Sequence, residues 1–235
     1  MMHKKGITRR IITWFVGWII ILFFVSVGLV LILRWVNPPI TAFMVRFKVN
    51  AWLHDKTNKT IQYKWVNWDQ ISPHASLAVI ITEDQKFFIH WGFDYESISK
   101  AWQRRHRSAR LRGGSTISQQ VAKNLFLWPK KSYFRKGLEV YFTLMIEMVW
   151  PKQRILEVYL NVAQFGDGVF GVEAASEKYF KHPAKRLTPY ECALLAAVLP
   201  NPLRFKVNRP SNYILKRTDL ILHEMYQHKG MSIGR

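Results

Sequence analysis

Cysteine is almost absent from this chain: Cys192 is the only one in 235 residues, so no disulfide can close within it. Its setting, Cys192-Ala193-Leu194-Leu195-Ala196-Ala197, is one of apolar packing. Acidic residues are scarce as well, 15 against 35 lysines and arginines, which leaves a formal net charge of +20 and a pI near 10.2. Such a surface requires an anionic partner. No alternating strand pattern of useful length occurs, which argues against a mainly β fold, and no repeat or low-complexity segment is present. The Gly-x-x-x-x-Gly-Lys-Ser/Thr arrangement of a P-loop is missing too, which excludes that mode of nucleotide binding. Ser97-Ile98-Ser99-Lys100 has the Ser-x-x-Lys form of penicillin-binding acyl enzymes, but Lys-Thr-Gly and Ser-Asp-Asn do not accompany it, so the match is treated as coincidence.

What is abundant is apolar residue, 49% of the chain, enough for a real core. Ile11 to Leu33 runs 23 residues without a charge, long enough to cross a ~30 Å bilayer as a helix. A cleaved signal peptide would have an apolar region of about 7 to 15 residues and a small-x-small cleavage site. Here Arg34, Trp35, Val36, Asn37, Pro38 and Pro39 follow instead, so the segment is expected to stay as an anchor. Lys4, Lys5, Arg9 and Arg10 precede it, which places residues 1–10 in the cytoplasm as a basic tail and everything after the span outside. A chain exported in this way meets anionic lipid headgroups and lipid-linked phosphates before it meets nucleic acid. Nucleic acid is therefore not the expected partner.

Residues 34–69 read as a membrane-proximal connector, basic and aromatic, and 70–235 as the main domain. In that domain the period is helical. Pro73 leads an apolar run into Glu83 and Asp84; Ser132 can cap a helix to about Val149; Pro151 opens another to Asn161; Thr188-Pro189-Tyr190-Glu191 joins a capping box to a first-turn proline. The fold expected is mostly α.

Gly113 to Asn124 reads Gly-Gly-Ser-Thr-Ile-Ser-Gln-Gln-Val-Ala-Lys-Asn. The glycines allow close approach to backbone, and Thr116 with Gln119 forms a capping box, so a helix should open here with its free N–H groups and positive dipole end facing the glycines. That is a phosphate cradle in form, with Lys123 two turns along and Arg112 just before; an ordinary capped glycine turn has the same local signs. Context must decide between them. Glu83 is followed by Phe87 and His90, which share a face if the helix continues, and a carboxylate beside aromatic rings is desolvated towards the pKa of a general acid or base. Glu139 has Arg135 four residues back, a routine ion pair, yet Lys130, Lys131, Arg135 and Lys136 together exceed what one carboxylate needs. Glu157 and Asn161 are expected to hold a loop or helix end by hydrogen bonds.

Glu83 to Gly92, Gly113 to Asn124, Arg135-Lys136-Gly137-Leu138-Glu139 and Lys152 to Asn161 stand in an order and spacing that resembles the peptidoglycan glycosyltransferases of family 51, in their monofunctional form with one N-terminal anchor. The resemblance runs from about residue 70 to at least 210. It implies a two-lobed, lysozyme-like helical domain that polymerises lipid II outside the cytoplasmic membrane, releasing undecaprenyl pyrophosphate with inversion at C1. Glu83 matches the catalytic base and Glu139 the second carboxylate of that family. Lys123 and Lys131 match donor-pyrophosphate positions, with Arg135 nearby, and Asp84, Gly114, Ser115, Thr116, Gln119, Gln120 and Asn124 fall in the substrate-binding motifs. No cofactor is required by the sequence; a divalent cation, Mg or Mn, could share the task as in some family members, although no dedicated metal cage is visible. The implied partners are lipid II, the growing lipid-linked glycan and membrane lipids, with other cell-wall or division proteins supplying cross-links. Two alternatives stay open: a glycan-cleaving lytic transglycosylase or muramidase, and a non-catalytic scaffold at the membrane.

Overall fold

The computed structural model describes residues 3–54, 59–96, 99, 114–130 and 132–228. Arg112, Gly113, Lys131 and most of the Ser97–Lys100 match lie outside the described residues. The chain divides into two compact units, Met1–Pro38 and Pro39–Arg235. The first is a single helix, α1 (His3–Leu33), whose stretch Ile12–Leu33 is long and apolar enough to cross a membrane.

The second unit is built from helices. α2 (Ala42–Leu53) starts at a Thr41 cap, α3 (Pro73–Glu83) has proline at its first position, and α4 (Ile117–Phe126) starts at Thr116. Then come α5 (Tyr133–Val149), α6 (Lys152–Val162), α7 (Val172–Phe180), α8 (Pro189–Val198) and α9 (Asn212–Gln227). The expected caps at Ser132 and at Thr188 with Glu191 are formed. Pro151 stands at the cap itself, one residue before α6. Two helix clusters result. α3 packs on α8 and α9, α4 packs on α5 and α2, and α6 touches both α3 and α4. α3 is buried from Ala75 to Ile81, with no polar face along that stretch, as expected of a central helix. Cys192 is 2% exposed on α8, and burial pushes its thiol up to about 12, so it packs as an apolar group.

Of the stretch 34–69 expected to be a connector, residues 39–54 and 59–69 fall in the second unit. The fastening is polar and long-range. The Asn161 side chain accepts from Val66 N–H at 2.9 Å and donates to Val66 C=O at 2.9 Å, while Glu157 accepts from Trp68 N–H at 2.9 Å. These are the structural tasks expected for Glu157 and Asn161. Beside them a small sheet has the order β1-β3-β2: β1 (Gln62–Tyr63) runs parallel to β3 (Val169–Phe170), and β2 (Gln164–Gly166) runs antiparallel to it. Strands of two or three residues are too short to show alternation in a sequence. Gly171, at φ +85, closes this corner: a Cβ there would come within 2.5 Å of the Asn161 carbonyl oxygen.

Candidate active site

Glu83 is the last residue of α3, and helix geometry stops at Asp84, whose φ of −163° and ψ of 74° turn the chain aside. The expected continuation that would put Glu83, Phe87 and His90 on one helical face does not occur. His90 faces Asp84 instead. Gly92 N–H donates to His90 Nδ1 at 3.1 Å, so the ring proton sits on Nε2 and donates to Asp84 Oδ1 at 2.8 Å. Asp84 Oδ2 accepts from Ile117 N–H at 3.0 Å.

That last bond corrects the reading of Gly113–Asn124. The helix N-terminus does hold an anion, but the anion is the protein's own Asp84 carboxylate. Thr116 and Gln119 form the expected capping box, Thr116 Oγ1 also donates to Gly92 C=O at 2.7 Å, and both residues are buried. Ser118 bonds Glu147, which Lys152 neutralises at 2.8 Å. Gly92, at φ +79, is required here, because a Cβ would lie 2.7 Å from the Thr143 methyl. Asp84, Thr116 and Gln119, expected to bind substrate, are therefore turned inward and hold α4 against the end of α3. Asn124 is likewise buried, and Gly114 and Ser115 are half-buried ahead of the cap. Of the first-turn amides of α4, Ile117 N–H is taken by the Asp84 carboxylate and Gln119 N–H by the Thr116 hydroxyl.

The outward face of α4 carries Gln120, which bonds Glu83, and Lys123, whose charge acts on Glu83 through space. Gln120 Nε2 donates to Glu83 Oε2 at 2.8 Å, while the Gln120 carbonyl accepts from Tyr159 O–H at 3.5 Å, which orients the amide. Burial pushes the Tyr159 phenol well up, so it stays a donor. Burial also raises the Glu83 carboxyl above its ordinary value, against the opposing pull of the Gln120 amide and of the Arg217 and Lys123 charges. Arg217, on α9, is a site neighbour that the sequence reading missed; its Nε is buried without a hydrogen-bond partner. No local signal marks it, since only packing of α9 on α3 brings it near.

The second carboxylate has a different environment. Glu139 on α5 is 2% exposed, accepts from Arg135 Nη1 at 2.7 Å, and is also paired with Lys136. Two of the expected wall cations are thus committed to one carboxylate. The Lys123 ammonium has no hydrogen bond or ion pair among the described residues; its Nζ lies 5.5 Å from the centroid of the Phe43 ring. Burial lowers its pKa, partly offset by the Glu139 charge. A half-buried ammonium with open donors, beside a desolvated carboxylate held by a neutral amide, is an arrangement for an anionic group and a proton transfer at adjacent positions.

Residues 50–226 match the transglycosylase family. The chain belongs to that family. Among proteins similar to this transglycosylase are the biosynthetic peptidoglycan transglycosylases of Shigella sonnei strain Ss046 and Escherichia coli strain K12, each 60% identical over 193 residues, 82% of this chain and 80% of the relative. Transglycosylase membership accords with the mostly helical unit and gives Glu83 and its neighbours a chemical context. Among the described residues no group of three or more His, Cys, Asp or Glu gathers to hold the divalent cation that the resemblance allows; Glu139 is held by two cations and Asp84 by His90 and a backbone amide.

Proposed function

We propose that this transglycosylase polymerises lipid II into peptidoglycan strands at the outer face of the cytoplasmic membrane, with α1 as its single anchor and its N-terminus in the cytoplasm. Glu83 accepts the proton of the acceptor 4-hydroxyl as that oxygen bonds to C1 of the lipid-linked donor. The bond from C1 to the pyrophosphate oxygen breaks in the same displacement, so the α-linked diphosphate becomes a β-1,4 glycosidic bond and undecaprenyl pyrophosphate leaves with the electron pair. Lys123 stabilises the charge gathering on that leaving group, which is where a preformed cation has most effect.

The observation that carries this reading is the contrast between Glu83, whose carboxylate among the described residues is bound by the Gln120 amide alone and is raised by burial, and a Lys123 with open donors. The names of the similar proteins support peptidoglycan as the product, and the basic composition suits a pyrophosphate donor. The test uses the full chain in detergent with lipid II, measuring glycan polymer beside a Glu83→Gln variant. Loss of about 10²- to 10⁴-fold in rate is expected. Polymer undiminished in the variant would remove Glu83 as the base, and cleavage of finished peptidoglycan without use of lipid II would replace polymerisation by a lytic reaction.

A further inference from the structure

Phe43 lies on α2, seven residues before the family match begins at residue 50, and it reaches the site from a segment expected to be only a connector. α2 is held firmly on that side. Met44 is 1% exposed, Ala51 is buried, and Phe47, one turn from Phe43, packs edge-on against Phe170 with ring centroids 5.9 Å apart. Phe43 shares the face of Phe47 and lies with its ring 5.5 Å from Lys123 Nζ. Two carboxylates act on the same ammonium, Glu139 and Glu83, and either would quench it by direct pairing. Arg135 and Lys136 occupy Glu139, and Gln120 occupies Glu83.

We propose that Phe43 is a positioning residue of the donor site: its ring holds the Lys123 ammonium by a cation–π contact that leaves the N–H donors open to a pyrophosphate oxygen. The proposal rests on the reading of Lys123 as the donor cation. A ring face attracts a cation without accepting its hydrogen bonds in the way a carboxylate does, so the charge is fixed in place but not neutralised. Burial lowers the Lys123 pKa against the pull of the Glu139 and Glu83 charges. Without the ring, Lys123 turns towards Glu139 or Glu83, and a donor must first break that pair.

The experiment measures binding of undecaprenyl pyrophosphate in detergent, and KM and kcat for lipid II, in the full chain and in Phe43→Leu, Phe43→Trp, Lys123→Met and the Phe43→Leu/Lys123→Met double variant. Phe43→Leu keeps apolar bulk and is expected to weaken pyrophosphate binding by about 3- to 30-fold, with KM raised more than kcat is lowered. Phe43→Trp restores a π face and binding. The double variant binds no worse than Lys123→Met alone, since both changes remove one interaction. Unchanged binding in Phe43→Leu with weakened binding in Lys123→Met overturns the role of Phe43 and leaves the lysine assignment standing. Additive losses in the double variant, or failure of Phe43→Trp to restore binding, also overturn it by making Phe43 a packing residue. Unchanged binding in Lys123→Met overturns the lysine assignment and this inference with it.

Discussion

Glu83 and Glu139 are both glutamates set among apolar helices, and they differ in what surrounds the carboxylate. Glu139 is buried and carries a cation on each carboxylate oxygen, Arg135 at 2.7 Å on one and Lys136 on the other. Glu83 has one neutral amide at 2.8 Å and feels Arg217 and Lys123 only through space. Burial alone does not make a base; burial without a paired cation does. The difference also explains the fate of the positive charge. The run of basic residues at the start of α5 reads as a surplus, yet buried Arg135 and half-exposed Lys136 are both committed to Glu139, while Lys123 on α4 keeps open donors among the described residues.

The strongest test of this comparison is Glu83→Gln, read for stability as well as rate. The folded carboxyl titrates above its ordinary value of 4.5, so the folded state holds that proton longer than the unfolded chain does. The associated stability is present below the unfolded value and is lost as pH rises through the folded one. At neutral pH the charged side chain therefore lowers stability, and Glu83→Gln melts at higher temperature than wild type while losing about 10²- to 10⁴-fold in rate. The melting difference closes on acidification below pH 4.5. A variant that melts lower at neutral pH would place Glu83 with Glu139 as a structural group.

Glu139→Gln has the opposite sign. It leaves the buried Arg135 guanidinium without its counter-charge, and urea unfolding should report a loss of about 3 kcal/mol. An unchanged midpoint would break the comparison from its other side. The pH–rate profile sharpens it further. The acid limb lies above the ordinary glutamate value because Glu83 is raised, and the alkaline limb lies below 10.5 because Lys123 is lowered. In Lys123→Arg the alkaline limb moves out of range, since arginine stays charged; a limb that stays in place belongs to another group. The smallest effect is expected for Lys136→Met, because Lys136 is half-exposed and Arg135 still holds Glu139. A loss of about 0.5 kcal/mol suits such a pair, and a loss as large as that of Glu139→Gln would mean that Lys136 is the main partner.

Legibility in the sequence followed the range of each interaction. Capping boxes at Thr116 with Gln119 and at Thr188 with Glu191 span three residues, and both form as the sequence alone leads one to expect. Glu83 was legible as a candidate because its apolar approach and aromatic neighbours are adjacent in the chain. The occupant of the α4 N-terminus was not, because Asp84 reaches Ile117 across 33 positions and nothing in Gly113–Asn124 announces it. The helical continuation past Glu83 failed for a related reason: Asp84 leaves helical geometry where its carboxylate bonds His90 and Ile117. Phe43 and Arg217 come from segments with no motif at all, and packing alone carries them to the site.

By itself the sequence determined the apolar span, the basic balance and the capped starts of α4, α5 and α8, because each depends on composition or on residues within a turn or two of one another. Only the tertiary structure decided which ionisable groups are paired and which remain open. Pairing depends on distances between elements far apart in the chain, and desolvation depends on what packs above them. Those two quantities separate Glu83 from Glu139, and Lys123 from Arg135, although the bare sequence lists them as the same kinds of residue.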